Sequence, residues 1–288
     1  MKIIVDAMGG DYAPQNIVAG AVDAVNELNE HLALVGPPDV IEKELKKYSY
    51  PKEHIEICPA SEIVGMQEPA VTPIRRKKNS SISVGVELLK KSGYSAFVSA
   101  GNTGAVVAAS TFLLGMIPGV ERPAIGLPIP TLKQIAFLID VGANADPKPV
   151  HLFQSSLMAN IYAQEVLGID NPKVALLNIG EEAAKGTDFV KETHRMMSER
   201  LPNFIGNIEP NELFIGKSDC IICDGFVGNV IIKVSEGLME SAKTLLLRGI
   251  KKDPLAMLGA LMMKGALSRL KRHADYSEYG GAPLLGVN

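Results

Sequence analysis

The chain has 288 residues, of which 47% are hydrophobic and 21% charged, and its formal net charge is −3 at pH 7. This composition predicts a globular protein with a large apolar core and excludes a disordered chain. The small negative charge gives no general attraction to nucleic acid. Three cysteines are too few for a disulfide framework, which indicates a reducing compartment. The apolar stretches are too short for a signal peptide or a bilayer span, so we expect a soluble cytoplasmic protein.

Short apolar runs alternate with amphipathic segments along the chain. Strands are predicted over 2–5, 32–35, 55–57, 96–98, 125–128, 135–139, 174–177, 204–205 and 220–223, and helices over 14–25, 40–47, 82–91, 105–117, 149–167 and 189–199. A polar segment over 60–79 receives no element. The alternation predicts an α/β fold, a mainly parallel sheet with helices on both faces. No linker interrupts it, so residues 1–288 are expected to form a single α/β domain with an appendage.

Several predicted strands end in a small polar residue and lead into a glycine-containing turn. In a parallel sheet the carboxyl ends of the strands meet along one edge, where ligands bind. We therefore expect Asp6, Ser99, Asp140, Asn178 and Asp224 to gather at one crevice. A plain strand-to-helix turn explains each case as well as a binding site does when it is taken alone.

The turn over residues 99–104 is the best candidate for binding an anion. Its glycines allow the backbone to approach a ligand closely, and the N–H groups of the next helical turn face that ligand. Lys185, in a glycine-containing loop, either neutralises a phosphate or is a solvated surface lysine. The basic run 75–78 either meets an anionic substrate or acidic partner, or is a solvated face.

Cys220 and Cys223 have the spacing of a metal or redox pair. On a strand, however, residues i and i+3 point to opposite faces, and the sequence offers no second pair to complete a zinc site. We therefore predict no metal site. The histidines are scattered, and His151, at a helix start, is the one most relevant to function.

The appendage is a helical hairpin over about 230–272. Asp253 is a predicted N-cap with Pro254 at the first helical position. Between Lys243 and His273 the sequence has eight Lys or Arg against one Asp. A basic helix with a Leu/Met face is typical of a membrane-surface helix, and equally of a hairpin that pairs with its twin in a dimer. Both interpretations stay open.

Six blocks in chain order resemble the signature blocks of the PlsX-type phosphate acyltransferases: Asp6-Ala7-Met8-Gly9-Gly10-Asp11, Arg75-Arg76-Lys77-Lys78-Asn79-Ser80-Ser81, Ser99-Ala100-Gly101-Asn102-Thr103-Gly104, Asp140-Val141-Gly142-Ala143-Asn144, Asp224-Gly225-Phe226-x-Gly228-Asn229 and Tyr279-Gly280-Gly281-Ala282. The resemblance implies conversion of acyl-[acyl-carrier-protein] and inorganic phosphate to acyl phosphate, at the start of bacterial phospholipid (phosphatidic acid) synthesis.

The resemblance also implies a three-layer α/β/α sandwich akin to isocitrate and isopropylmalate dehydrogenases, with a doubly wound sheet and a protruding hairpin. It implies a homodimer without cofactor or nucleic acid, peripheral contact with the inner face of the cell membrane, and cooperation with a downstream glycerol-3-phosphate acyltransferase. The family continues with another strand, a His-Gly-Ser-Ser type turn and a final helix, so we expect this chain to be truncated at its C-terminus.

The implied chemistry gives each candidate residue a role. A thioester is already activated and phosphate is the nucleophile, so no Ser or Cys nucleophile, metal or redox cofactor is required. The resemblance and the turns together assign phosphate and oxyanion binding to Ser99, Gly101, Asn102, Thr103, Gly104, Asp140, Gly142 and Asn144, catalysis to Lys185, Asp224 and Asn229, carrier-protein binding to Arg75, Arg76, Lys77 and Lys78, and membrane binding to Leu255, Leu258, Leu261 and Met262.

Two other functions fit the sequence. A metal-dependent NAD(P) dehydrogenase of the same fold would use Asp140 and Asp224 as metal ligands, although the sequence lacks an adenine-nucleotide fingerprint. A non-catalytic scaffold that docks lipid enzymes at the membrane would bind vesicles without turnover.

Overall fold

The computed structural model describes residues 2–266, 268 and 280–288, except for the side chains of 72–74, and the chain divides into two compact units. The N-terminal unit comprises residues 1–119 with 287–288, and the C-terminal unit comprises residues 120–286. Each unit is built around one sheet.

The N-terminal unit contains a parallel four-stranded sheet in the order β3-β2-β1-β4. Its elements are β1 (Lys2–Asp6), α1 (Gln15–Leu28), β2 (Leu32–Gly36), α2 (Pro38–Leu45), β3 (Ile55–Pro59), α3 (Val71–Arg76), α4 (Ser81–Leu88), β4 (Tyr94–Val98) and α5 (Thr103–Ala109), which continues as a π-helical turn over Ser110–Leu114. Apolar side chains of α1 and α2 cover one sheet face, and those of α4 cover the other.

The C-terminal unit contains a six-stranded mixed sheet in the order β10-β5-β6-β9-β7-β8. Its elements are β5 (Ala124–Pro130), β6 (Ile135–Ile139), α6 (Pro149–Glu165), β7 (Val174–Leu177), α7 (Asp188–Arg200), β8 (Phe204–Ile208), β9 (Cys220–Ile222), α8 (Gly225–Lys252), α9 (Pro254–Met262) and β10 (Leu284–Leu285). Strands β6, β9, β7 and β8 run parallel, whereas β5 pairs antiparallel with both β6 and β10. Helices α6 and α7 cover one face, and the start of α8 packs against the other.

These sheets confirm the predicted α/β class with helices on both sheet faces. The strands are distributed over two sheets instead of one, because β4 returns to pair with β1 whereas β6 pairs with β5 and β9. Asp6 and Ser99 therefore follow strands of one sheet, and Asp140, Asn178 and Asp224 follow strands of the other. The assignment of residues 1–288 to a single domain stays a prediction.

Among the described residues, α3, within the polar segment, and β10 lie where no element was predicted. The predicted hairpin begins with α8 at Gly225 and continues into α9. Asp253 is the N-cap of α9 and Pro254 its first residue, as predicted. The rest of that hairpin, at 267 and 269–272, and Tyr279 of the sixth block lie outside the described residues. Across the described residues, no helix combines the length and apolarity that crossing a bilayer requires.

Candidate functional site

The strand order of the N-terminal unit reverses between β1 and β4. The chain moves outward from β1 to β2 and β3, then returns to place β4 on the other side of β1. In doubly wound sheets, ligands bind at the carboxyl ends of the strands at such a reversal. Asp6 and Ser99 lie at this point, and the Ser99 hydroxyl donates to Asp6 Oδ2 over 2.7 Å. The structure brings these two residues together, as predicted.

Two glycine turns meet at this point. The Asp6 carboxylate also accepts from the N–H of Met8 (3.1 Å), and the N–H of Gly101 donates to Ser99 Oγ (3.1 Å). A Cβ on Gly9 would stand 2.7 Å from both Asp6 Oδ2 and Gly101 N. The two turns approach this closely only because neither glycine carries a side chain.

Asn102 fixes the start of α5. Its Oδ1 accepts from the N–H of Ala105 (3.0 Å), which is the arrangement of an N-cap. Its Nδ2 donates to the carbonyls of Gly65 (3.2 Å), Met66 (3.2 Å) and Glu68 (2.8 Å). The amide was expected to bind phosphate, but in this structure both of its ends bind the protein.

The N–H groups of Thr103 and Gly104 lie in the first turn of α5, where the helix itself offers them no carbonyl to donate to. Within the described part of the chain, neither group donates to any other acceptor. Thr103 is exposed and Gly104 half-buried. These two donors, at the positive end of the helical segment, are therefore available to an anion.

The basic run 75–78 divides into two parts. Lys77 turns toward the protein, where its ammonium donates to Glu68 Oε1 (2.6 Å) and to the carbonyl of Ile63 (2.9 Å). The other three, Arg75, Arg76 and Lys78, are exposed, and no acidic partner pairs with them among the described residues. Only these three present free charge to a partner.

Asp140 organises the turn after β6 in the C-terminal unit. It is only 2% exposed. Its carboxylate accepts from the N–H groups of Ile125 (3.2 Å), Gly142 (3.1 Å), Ala143 (2.9 Å) and Asn144 (2.8 Å), and from Asn144 Nδ2 (2.9 Å). A buried carboxylate needs such donors to offset its lost hydration. The N–H groups expected to face phosphate therefore donate to Asp140 instead.

The start of α8 packs directly on this turn. Gly225 N donates to Asn144 O over 2.7 Å, and a Cβ on Gly228 would stand 1.9 Å from the backbone oxygen of Asp140. Asp224 caps α8, because its Oδ1 accepts from the N–H groups of the second and third residues of the helix at 3.0 and 2.9 Å. Asn229 is exposed one turn later. The Asp140 turn and the Asp224 cap are thus one local unit.

Lys185 lies in the loop after β7. Buried Asn178 donates from its Nδ2 to the Lys185 carbonyl over 3.1 Å, which fixes the loop backbone. The Lys185 ammonium is 3.8 Å from Glu182 Oε2, and both side chains are more than half exposed. Because exposed pairs of this kind are weak, the ammonium remains available to an anion.

The cysteines lie on opposite faces of the sheet, as predicted. Cys220 packs with α6 and α7, whereas Cys223 packs with the residues beneath α8. Burial raises the pKa of Cys220 to about 12, and burial together with the charges of Asp224 and Asp140 raises the pKa of Cys223. Both thiols are therefore protonated and unreactive near neutral pH.

His151 has a fixed tautomer. Its Nδ1 accepts from the N–H of Lys148 (3.0 Å), so Nε2 carries the proton and donates to Glu121 (3.1 Å). With both nitrogens engaged, the His151 ring holds the start of α6 in place. Sequence reasoning missed Glu121 and Glu68, because the conformation of a loop determines that Glu121 pairs with His151 and Glu68 with Lys77. Asn102 before an apolar run, in contrast, is a recognisable N-cap.

Comparison with known proteins gives a match along the whole chain. A family model described as "Fatty acid synthesis protein" matches residues 1–288. A protein of Heliobacterium modesticaldum named phosphate acyltransferase is 48% identical over 289 residues, covering 100% of this chain and 86% of the relative. A protein of the same name from Alkaliphilus oremlandii is 48% identical over 287 residues, with the same coverage.

Solved structures share the fold at low sequence identity. A phosphotransacetylase from Streptococcus pyogenes has a TM-score of 0.63 at 17% identity, covering 83% of this chain and 82% of that one. A branched-chain phosphotransacylase from Enterococcus faecalis has a TM-score of 0.56 at 14% identity, covering 81% and 83%. At this identity the likeness establishes the fold alone.

Proposed function

We propose that this chain, which belongs to the phosphate acyltransferase family, transfers an acyl group to inorganic phosphate from the thioester of acyl carrier protein. The observation that carries the proposal is identity of nearly one half with proteins named phosphate acyltransferase, over the full length of the chain. The product would be an acyl phosphate and the free carrier thiol.

The state of the cysteines agrees with this chemistry. In the transfer, a phosphate oxygen forms a bond to the thioester carbon, the C–S bond breaks, and the pantetheine sulfur leaves as a thiolate. A thiol pKa of about 8.5 makes that sulfur a good leaving group. No enzyme nucleophile is needed, and the buried, protonated Cys220 and Cys223 could not supply one.

We place the phosphate at the turn over 99–104. The free N–H groups of Thr103 and Gly104 are the donors, and Asp6 and Asn102 hold the turn in place. Donors fixed before substrate arrives bind a dianion without reorganisation. Ser99, Gly101 and Asn102 thus support the turn, whereas Thr103 and Gly104 contact the anion.

The catalytic roles of Lys185, Asp224 and Asn229 belong to the same proposal. Lys185 supplies positive charge in the reaction, which its weak pairing with Glu182 permits. Asp224 and Asn229 have the orienting roles that the family resemblance implies. Asp140, Gly142 and Asn144 shape the turn of the C-terminal unit, and the N–H groups of Gly142 and Asn144 are not free for an anion because they already donate to the Asp140 carboxylate.

The exposed cations of the basic run are the proposed contact for the carrier. Acyl carrier protein is acidic, and Arg75, Arg76 and Lys78 present unpaired positive charge next to α4. Charge complementarity of this kind speeds encounter and weakens with salt.

Self-association and membrane contact are proposed for the hairpin. Apolar side chains are exposed along α8 and α9, among them Leu238 (68%), Leu245 (67%), Leu255 (78%) and Met262 (82%). Such a surface fits a homodimer contact, a peripheral contact with the inner face of the cell membrane, or both. At the membrane the acyl phosphate would reach a glycerol-3-phosphate acyltransferase, in the first steps of phosphatidic acid synthesis.

Release of carrier thiol tests the proposal. Purified chain is incubated with a long-chain acyl-carrier protein, with and without inorganic phosphate, and both the thiol and the acyl phosphate are measured. We expect phosphate-dependent release. Thiol release that ignores phosphate, or no release together with vesicle binding, would contradict the acyltransferase and favour a hydrolase or a scaffold.

Lys185→Ala tests the proposed role of the lysine. We expect kcat/KM for phosphate to fall about tenfold, since one ion contact to an anion is worth roughly 1.4 kcal/mol. Lys191→Ala is the matched control, because Lys191 forms the same i,i+3 type of exposed pair, with Asp188 at 3.4 Å. An unchanged kcat/KM in Lys185→Ala would remove this residue from the scheme.

A further inference from the structure

The loop over residues 62–70 has little regular structure; backbone hydrogen bonds hold its start at Glu62, and side chains hold the part that follows. Three of its carbonyls, at Gly65, Met66 and Glu68, accept from the single amide of Asn102. Its far end packs on α5, where a Cβ on Gly104 would stand 2.7 Å from the Ala70 side chain. The loop therefore lies against the turn that carries the free N–H groups.

An ion pair between Glu68 and Lys77, which follows the loop in the chain, holds the loop in its curved conformation. The Glu68 carboxylate accepts from the N–H of Gly65 (2.8 Å) and from the ammonium of Lys77 (2.6 Å). The same ammonium donates to the carbonyl of Ile63 (2.9 Å). The hydrogen bond from Lys77 lowers the pKa of Glu68, so the Glu68 carboxyl is ionised at neutral pH. Lys77 thus binds both ends of the curved segment.

We propose that Lys77 is a positioning residue for the anion-binding turn, and that the Lys77–Glu68 pair acts as a latch that holds the loop 62–70 against Asn102. Lys77 acts through the loop and touches neither phosphate nor carrier. The pair is about one-third exposed on each side, so it is a weak latch that substitution or salt opens. The inference concerns the phosphate site and therefore rests on the proposed function.

The latch separates Lys77 from its three neighbours in the basic run. Arg75, Arg76 and Lys78 are exposed and available to the carrier protein, whereas the ammonium of Lys77 forms an ion pair with Glu68. Removing Lys77 should therefore affect the Michaelis constant of phosphate, and removing its neighbours should affect that of the carrier protein.

Steady-state kinetics test this separation. For Lys77→Met and Glu68→Gln we expect the KM for phosphate to rise up to about fivefold, the upper range for a partly exposed pair, with an unchanged KM for acyl-carrier protein. Lys77→Arg should restore the wild-type value. The double variant Arg75→Ala/Arg76→Ala should show the reverse pattern. Lys91→Met, at an exposed lysine in the turn after α4, controls for the lost charge.

Hydrogen exchange tests the latch without catalysis. The amides of 62–70 should exchange faster in Lys77→Met and in Glu68→Gln than in wild type, Lys77→Arg or Lys91→Met. A higher KM for carrier in Lys77→Met, with unchanged loop exchange, would overturn the inference and make Lys77 a carrier contact. If wild-type protein shows no phosphate-dependent turnover, the proposed function fails, while the exchange rates still decide whether the latch exists. If Lys77→Met does not fold, Glu68→Gln gives the same answer.

Discussion

Two buried aspartates lie at strand ends, Asp6 as the last residue of β1 and Asp140 directly after β6, and they are 1% and 2% exposed. Each carboxylate accepts N–H groups from the turn that follows it, so each fixes the backbone of a turn instead of offering charge to solvent. From the sequence, an aspartate at a strand end is interpreted as a residue that binds a ligand. These two carboxylates are buried, and a carboxylate removed from water accepts hydrogen bonds from the nearest donors, here the backbone N–H groups of the turn.

Asp140→Asn should lower the free energy of unfolding by about 2–4 kcal/mol, because charge-assisted bonds to buried N–H groups are lost and an amide N–H would then face other donors. The chain has no tryptophan, so urea unfolding is followed by circular dichroism. Asp146→Asn, at an exposed position in the same loop, is the control and should change stability by less than about 0.5 kcal/mol. Equal midpoints for the two variants would show that the Asp140 bonds contribute nothing.

At the scale of elements, the caps follow from local sequence and the packing does not. Thr187, Ser80 and Asn102 each accept from an N–H in the first turn of their helix, which is the preferred role of Ser, Thr and Asn at the residue before a helix. The start of α8, in contrast, depends on what it meets. Its Gly228 lies against the backbone of Asp140, a contact between segments more than 80 residues apart that periodicity does not encode.

Two glycines of α8 should respond to alanine in opposite directions. Gly228→Ala places a Cβ 1.9 Å from Asp140 O, so the helix must move, and we expect a loss of about 3 kcal/mol or more. Gly237→Ala meets nothing within 4 Å and should stabilise by up to about 1 kcal/mol, since alanine favours the helix. Thermal melts of both variants give the comparison. A shift of the same sign in both would contradict the packing of α8 on the Asp140 turn.

At the scale of the whole molecule, the largest unexplained feature is the apolar surface of the hairpin. Leu255, Leu258, Leu261 and Met262 are exposed by 78%, 57%, 68% and 82%. Water-exposed side chains of this size contribute about 1.5 kcal/mol or more each when an apolar phase covers them. This is the surface for which contact with a bilayer or a second chain is proposed above.

Replacing these four residues by serine should reduce binding to vesicles that contain phosphatidylglycerol at least tenfold, because most of the buried apolar area is lost. Co-sedimentation measures the bound fraction, and neutral phosphatidylcholine vesicles show the contribution of the basic residues. Leu132→Ser is the control, because Leu132 is 82% exposed in the turn between β5 and β6, outside the helical hairpin. Unchanged vesicle binding with a shift from dimer to monomer would instead make this face a subunit contact.

The sequence was sufficient to predict the features that depend on residues close together in the chain. These are the alternation of strands and helices, most element positions, the cap at Asp253 and the family blocks. The period of the apolar residues indicates which face of a segment is buried, and the glycine and polar residues of a turn indicate the backbone conformation of that turn. For that reason the α/β class and the glycine turns at 99–104 and 142–144 were predictable.

Only the tertiary structure decided which strands pair and which polar groups are still free. The strands form two sheets because pairing depends on contacts such as β1 with β4, far apart in sequence. Lys77 donates to Glu68 across a loop, and Asp140 accepts from the N–H groups of its own turn. A residue type states which bonds a side chain is able to make. Burial and the nearest partner determine the bonds that it makes, and these are properties of the fold.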